Sequence, residues 1–254
     1  MTPLERINII RKWILEYVET MDKPANCLVV GISGGVDSAV VSTICAMTGM
    51  KTLVASMPIS QRPEHHDLSI KHKNWITTKY SNCFGVEIDL THTFLSFENQ
   101  MIDKKFTDKM GLANSRARMR MMCLYQISAS TKGIVVGTGN KIEDFGVGFF
   151  TKYGDGGVDI SPIADCTKTQ VWAMAEELKI LDEIIEAEPT DGLWNDGRKD
   201  VDQLGMSYSQ IEYLMNNPTE PSYEKYLKLR KKNLHKMKPI PVCNFDGKTD
   251  LAND

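Results

Sequence analysis

One short stretch, Ser33-Gly34-Gly35-Val36-Asp37-Ser38, combines two hydroxyls, a carboxylate and a pair of adjacent glycines, the composition of a loop that binds an anion and handles a metal. Residues without a Cβ let main-chain N–H groups approach a phosphate directly, and a helix starting at such a loop adds its own N-terminal N–H groups and dipole. The loop is not of the GxxxxGK[ST] type, because Asp37 and not a lysine precedes Ser38. A carboxylate beside phosphates implies a divalent cation between them. A plain strand-to-helix turn would account for the glycines but not for Ser33, Asp37 and Ser38 together.

Two later stretches have the same character. Gly137-Thr138-Gly139-Asn140-Lys141-Ile142-Glu143-Asp144 carries a hydroxyl, an amide and two carboxylates, and reads either as a nucleotide and metal site or as a loop with a helix cap. The run Phe149 to Asp159, FFTKYGDGGVD, adds Lys152, Asp155 and Asp159 on a backbone that holds three glycines.

These residues need a scaffold, and the apolar patterning supplies one. Cys27-Leu28-Val29-Val30 lacks polar alternation, as expected of a strand covered on both faces, and leads through the loop Gly31 to Ser38 into a helix over Val36 to Met47. Thr2-Pro3-Leu4-Glu5 is a capping box with proline at the first helical position, and Leu4, Ile7, Ile10, Ile14 and Val18 recur at helical spacing. Further strands are predicted over Thr52 to Met57, Phe84 to Leu90 and Ile134 to Thr138. Helices are predicted over Pro63 to Tyr80, Leu112 to Ser130, Thr167 to Lys179, Leu181 to Ala187 and Tyr223 to His235, with another capping box at Ser207 to Gln210. Gly139 to Pro162 reads as a long irregular loop and Pro189 to Arg198 as turns. The alternation implies an α/β fold with a doubly wound, mostly parallel sheet flanked by helices and a helical C-terminal third. Ligands in such folds bind outside the carboxyl ends of the strands, where both phosphate-type loops fall.

The 254 residues carry a net charge of −3 with 42% hydrophobic and 25% charged residues, so no global attraction draws the chain to nucleic acid or to an acidic membrane. No run approaches the roughly 18 apolar residues of a membrane span, and no signal-peptide core precedes the first helix. Six scattered cysteines without a CxxC pair argue against zinc or iron–sulfur centres and fit a reducing cytoplasm. No repeat or linker marks a second domain, so one domain over 1–254 is expected.

SGGVDS resembles the signature of the PP-loop ATP pyrophosphatases, whose Rossmann-like fold the patterning suits. That motif with GTGNKIED, FFTKYGDGGVDISPIADCTKTQVW, PTDGLW and HKMKPIP, in this order, resembles bacterial-type NAD synthetase over most of the chain. The resemblance implies ATP-dependent amidation of deamido-NAD to NAD through an adenylated intermediate, with ammonia as nitrogen donor, Mg2+ as metal, AMP and pyrophosphate as products, and no glutaminase domain. It places ATP on Gly31, Ile32, Ser33, Gly34, Gly35, Val36, Asp37, Ser38, Thr138, Lys168 and Thr190. It gives the catalytic roles to Asp37 and Lys168, and the metal to Asp37 with Glu143 or, alternatively, Asp144. Arg118, Lys152, Asp159, His235 and Lys236 fall where the family holds deamido-NAD, and a homodimer is implied.

Each of these residues also has a plainer reading. On a helix Arg116 and Arg120 share a face that Arg118 does not, so the three form no basic patch for nucleic acid, and Arg118 alone reads as a solvated charge. His235-Lys236 can merely complement a helix C-terminus, His65-His66 reads as a solvated face, and the Met119, Met121 and Met122 group reads as core or dimer packing. Two rivals remain: another PP-loop adenylating or amidating enzyme, GMP-synthetase-like or tRNA-modifying, and a nucleotide-binding module without catalysis.

Overall fold

The computed structural model describes residues 1–60, 63–190, 199–243 and 245, with residues 63–65 described by their backbone alone. Four parallel strands, β1 (Leu28–Gly31), β2 (Thr52–Ser56), β3 (Cys83–Glu87) and β4 (Ile134–Val135), form a sheet in the order β3-β2-β1-β4. Leu28 pairs with Thr52 on one side and with Ile134 on the other. The chain therefore leaves β1 in one direction and later returns to its opposite edge, which opens a crevice at the carboxyl end of β1.

Helices cover both faces, as the uninterrupted apolar strands require. Leu28 and Val30 face a core shared with α1 (Pro3–Glu19), α2 (Val36–Met47) and α6 (Lys168–Glu177), through Ile7, Ile14, Val40, Ile44, Val171 and Met174. Cys27 and Val29 face a second core with Leu53, Ala55 and Phe94, the last from α4 (Thr91–Asp103), against which α5 (Lys109–Thr131) also packs. Each aliphatic side chain buried this way contributes about 1.5–3 kcal/mol. The capping box of α1 forms as its sequence predicts, with Glu5 N–H donating to Thr2 Oγ1 at 3.2 Å and Thr2 N–H to Glu5 Oε2 at 2.8 Å. Leu4, expected at the head of the apolar stripe, instead stays half exposed in the first turn, and burial begins at Ile7.

Several boundaries differ from the sequence expectation. Strand β3 ends at Glu87 because Asp89 Oδ1 accepts from Thr91 N–H at 2.8 Å and turns the chain into α4, a helix that the sequence pattern does not reveal. Strand β4 is two residues long, after which Val136 bridges in parallel to Ile160 and Gly137 N–H donates to the Ile160 carbonyl at 2.7 Å. The segment expected to be irregular contains a π-helix, Lys141–Val147. Beyond α3 (Pro63–Lys79), the remaining helices are α7 (Asp182–Ile185), α8 (Asp200–Leu204), α9 (Tyr208–Asn216) and α10 (Tyr223–Met237). The turns expected at Pro189 to Arg198, and most of PTDGLW, lie outside the described residues from 191 onward. Among the described residues no helix is long and apolar enough to cross a membrane.

Candidate functional site

The stretch after β1 folds into a loop braced by its own hydroxyls. Ser33 N–H donates to Ser38 Oγ at 3.2 Å, Ser38 Oγ donates to the Gly35 carbonyl at 2.9 Å, and Gly35 N–H donates to Ser33 Oγ at 3.2 Å. Gly34 takes φ +89°, a left-handed conformation that favours glycine. Gly35 caps α2 without a side chain, so the first-turn N–H groups of that helix are open to an anion.

The loop forms one wall of a cavity of about 280 Å3, and Thr138, Gly139, Glu143, Asp144, Lys168 and Thr190 line other parts of it. Inside, three charged side chains from three elements meet. Lys168, the first residue of α6, donates from Nζ to Asp37 Oδ2 at 2.5 Å and to Glu143 Oε1 at 3.0 Å. The lysine side chain is 4% exposed, the carboxylates 16% and 17%. A capping box, Thr167 with Gln170, fixes the start of α6 and with it the root of Lys168.

Asn140 aligns both carboxylates. Its Nδ2 donates to Asp37 Oδ1 at 3.1 Å, while its Oδ1 accepts the N–H groups of Ile142 and Glu143 at 3.0 and 3.1 Å and so starts the π-helix. Tyr208 donates from its hydroxyl to Glu143 Oε1 at 2.6 Å and lies 2.8 Å from Asp200 Oδ2. Asn140, Tyr208 and Asp200 were not singled out by sequence reasoning. Asn140 was visible as a helix-cap residue beside two carboxylates, whereas only contacts across the fold bring the other two in.

The electrostatics follow from burial set against pairing. Burial alone would lower the Lys168 ammonium, but the two carboxylates together hold it above its ordinary value. Burial pushes Asp37 up in spite of Lys168, whereas Glu143, with Lys168 and Tyr208 both favouring its charged form, stays below the usual range. Asp144 does not reach Lys168. It packs so tightly over Gly139 that a Cβ there would lie 2.0 Å from its Oδ2, and burial with the charges of Glu143, Asp155 and Asp37 raises it to about 8. Of the two carboxylates between which the sequence left the choice open, Glu143 is the one that joins Asp37.

A second cavity of about 300 Å3 shares Gly137, Gly139, Asp144, Asp155 and Val158 with the first, and is lined by Lys152, Lys236, Lys238, Phe150 and Tyr153. Lys236 donates to the Phe150 carbonyl at 2.7 Å and sits over the Phe150 ring. Asp155 lines both cavities; the residue is exposed, but the protein packed around its carboxyl raises it to about 6 although Thr151 N–H donates to it at 2.8 Å.

Three expected acceptor-side residues line neither cavity. Arg118 is exposed and donates to the Lys152 carbonyl at 3.2 Å. Asp159 spends one oxygen on Val135 N–H at 2.7 Å and the other on the Tyr125 hydroxyl at 3.0 Å, which makes it a brace for the edge of β4. His235 points outward from α10 and is exposed. Arg120 lines the first cavity instead, donating from Nε to the Met57 carbonyl at 3.0 Å. With Ala117, Met121 and Leu124 it forms a helical i, i+3, i+4, i+7 stripe that the sequence already contained. His66 is paired with Glu87 at 3.2 Å and so is not a plain solvated residue. Met121 lines the first cavity and Met122 is exposed, so the methionine group is not one core cluster.

Comparison with known proteins points to one family. The model of the NAD synthase family matches residues 6–245. An NH(3)-dependent NAD(+) synthetase of Carboxydothermus hydrogenoformans is 35% identical over 240 residues, covering 93% of this chain and 96% of that protein. The protein of the same name from Finegoldia magna is 34% identical, covering 93% and 95%. Among solved structures, NMN synthetase from Francisella tularensis superposes with a TM-score of 0.86 at 28% identity, covering 96% of this chain and all of that one. The NH3-dependent NAD synthetase from Campylobacter jejuni gives 0.75 at 24% identity over 96% of this chain, a likeness of fold.

Proposed function

Because the chain belongs to the NAD synthase family, we propose that it is an ammonia-dependent NAD synthetase, a ligase that converts deamido-NAD to NAD with ATP. The observation that carries this reading is the meeting of Asp37, Lys168 and Glu143 in the cavity below the phosphate loop, one wall away from a cationic second cavity. A carboxylate is a poor electrophile, so the nicotinate oxygen first attacks the α-phosphorus of ATP, forming a P–O bond as the bond to pyrophosphate breaks. Ammonia then attacks the carbonyl carbon of the mixed anhydride, AMP leaves with the C–O bond electrons, and the amide nitrogen gives up a proton.

The chain's part is placement and charge. The N–H groups of the Gly31 to Ser38 loop and of the start of α2 hold the departing pyrophosphate, with Thr138 and Thr190 as further contacts. Lys168 neutralises phosphate charge, and Lys152 and Lys236 grip the acceptor across the shared wall. Closing both cavities around the anhydride keeps water from hydrolysing it. Asp37 and Glu143 suit a hard divalent ion: they are two carboxylates from different segments aligned by one amide, and Lys168 and Tyr208 both bond Glu143 at Oε1. Bound there with the phosphates, Mg2+ would supply neutralisation of the developing charge on the phosphoryl oxygens. Arg118, Asp159 and His235 would reach the acceptor only from outside the two cavities. We take the nitrogen donor to be free ammonia, the working unit a homodimer of single-domain chains, and the compartment the cytoplasm.

A second reading concerns the acceptor. The likeness to an NMN synthetase, with a TM-score of 0.86 against 0.75 for the Campylobacter jejuni NAD synthetase, favours testing nicotinate mononucleotide beside the dinucleotide. Purified protein with Mg-ATP and ammonium, offered each acceptor separately, should release AMP, pyrophosphate and the amide product, with the larger kcat/KM for deamido-NAD. A larger kcat/KM for the mononucleotide would transfer the assignment to the second reading, and ADP with orthophosphate would sink both.

A further inference from the structure

Tyr208 occupies a place where packing alone would be served by phenylalanine. It is 4% exposed, sits among Ile142, Val147, Leu204 and Ile211, and meets Trp172 edge-on with ring centroids 6.2 Å apart. A buried hydroxyl without a partner is destabilising, so its retention here needs a reason. The reason is in its surroundings. The hydroxyl lies 2.6 Å from Glu143 Oε1 and 2.8 Å from Asp200 Oδ2, and the Lys168 ammonium stands 4.8 Å above the ring. Its single proton serves one of these carboxylates at a time, and the Glu143 oxygen within its reach is the one that also receives Lys168.

The local fold fixes this arrangement firmly. Ser207 and Gln210 form the capping box that starts α9, with Ser207 N–H donating to Gln210 Oε1 at 2.9 Å, which makes Tyr208 the first helical residue. Asp200 opens α8 and is itself 4% exposed. Two short helices thus meet at one hydroxyl, which lies against one oxygen of the π-helix.

We infer that Tyr208 is a positioning residue, backed by Asp200, that holds the Glu143 carboxylate in the orientation in which it meets Lys168 and Asp37 and receives the metal bound to ATP. The inference rests on the reading that Glu143 helps to hold that metal. A merely structural tyrosine would stabilise the α9 packing and leave metal affinity alone. A positioning tyrosine sets metal affinity through its hydroxyl.

The test uses the full chain with Tyr208→Phe, which removes only the hydroxyl, and Asp200→Asn as a second variant, each checked by thermal unfolding. Mn2+ binding in the presence of ATP, without acceptor, is followed by electron paramagnetic resonance, and AMP release is titrated with Mg2+ at saturating substrates. In Tyr208→Phe the half-saturating metal concentration should rise about tenfold in both measurements, while the acceptor KM moves less than about twofold. Asp200→Asn should move the same way by less, and it carries the test alone if Tyr208→Phe does not fold. Unchanged Mn2+ binding in a folded variant, or a rise confined to the acceptor KM, overturns the inference. Glu143→Gln separates the two levels: if it too leaves the metal titration unchanged, the reading of Glu143 fails, whereas a shift in Glu143→Gln without one in Tyr208→Phe refutes the tyrosine alone.

Discussion

The two cavities share a wall but are built by different means. The phosphate-loop side is made of main chain and short hydroxyls at the end of a central strand, with helix α2 buried behind it over nearly its whole length. The opposite side is made of long side chains from segments far apart in sequence, Lys152 from the glycine-rich stretch and Lys236 from α10, and parts of it stand open to solvent. On the proposed assignment, the sheet sets the phosphate loop in place before any ligand arrives, whereas the acceptor side is assembled from side chains that a ligand can rearrange.

The largest effect should come where the two sides meet. Lys168→Met leaves Asp37 and Glu143 facing each other without their cation, and should cost about 3–5 kcal/mol in urea unfolding. AMP release should fall by about a thousandfold or more. A folded variant of near-normal stability would mean that the carboxylates are solvated and that the two sides are not joined through charge.

The rigid side should also be the acid-sensitive one. His72, buried behind α2 with Nε2 2.8 Å from Ser42 Oγ, is lowered by burial from 6.5 to about 4, so the folded state keeps it neutral where the unfolded chain protonates it. Its contribution is complete above about pH 6.5 and is lost as the pH falls toward 4, amounting to about 3 kcal/mol. Unfolding measured across that range should show this loss, and His72→Gln should remove it. A slope unchanged in the variant would assign the acid sensitivity to other groups.

Gly148 tests the joint between α10 and the π-helix. It takes φ +66°, and a Cβ would lie 2.7 Å from Asn233 Cβ, so Gly148→Ala should destabilise by about 1–3 kcal/mol by thermal unfolding and weaken metal binding with it. Stability equal to that of the unaltered chain would show α10 free to shift. The smallest change in stability, within about 0.5 kcal/mol, is expected for Lys152→Ala, together with a rise of about tenfold in acceptor KM at nearly constant kcat. A fall in kcat with KM unchanged would make the open side part of the chemical step.

The same contrast decides what could be read from the chain. The strands β1 and β2, helix α2 and the loop between them were legible because burial on both faces, glycine placement and helix start signals all operate over a few neighbouring residues. Lys168 and Glu143 were legible through resemblance, and the geometry places them together. Arg118, Asp159 and His235 were expected on the acceptor, yet the fold turns Arg118 to the Lys152 carbonyl, engages both oxygens of Asp159 and leaves His235 outward. The π-helix was illegible because its cause is tertiary. Arg230 donates to the Phe145 and Gly146 carbonyls and Asn233 Nδ2 donates to that of Val147, so α10 satisfies groups that an isolated segment would leave to water.

The charged trio also bears on how the chain assembles. Lys168 lies 131 residues from Asp37 and 25 from Glu143, so the cluster exists only once the first strand–helix unit, the π-helix and α6 have all docked. Contacts this distant in sequence form late and slowly, because the intervening chain must be ordered first. In the folded chain Lys168 of α6 is the cation that stands between the two acidic side chains. The first cavity is therefore complete only in the fully folded chain, because the cation that pairs its two carboxylates comes from the last of the three elements in sequence.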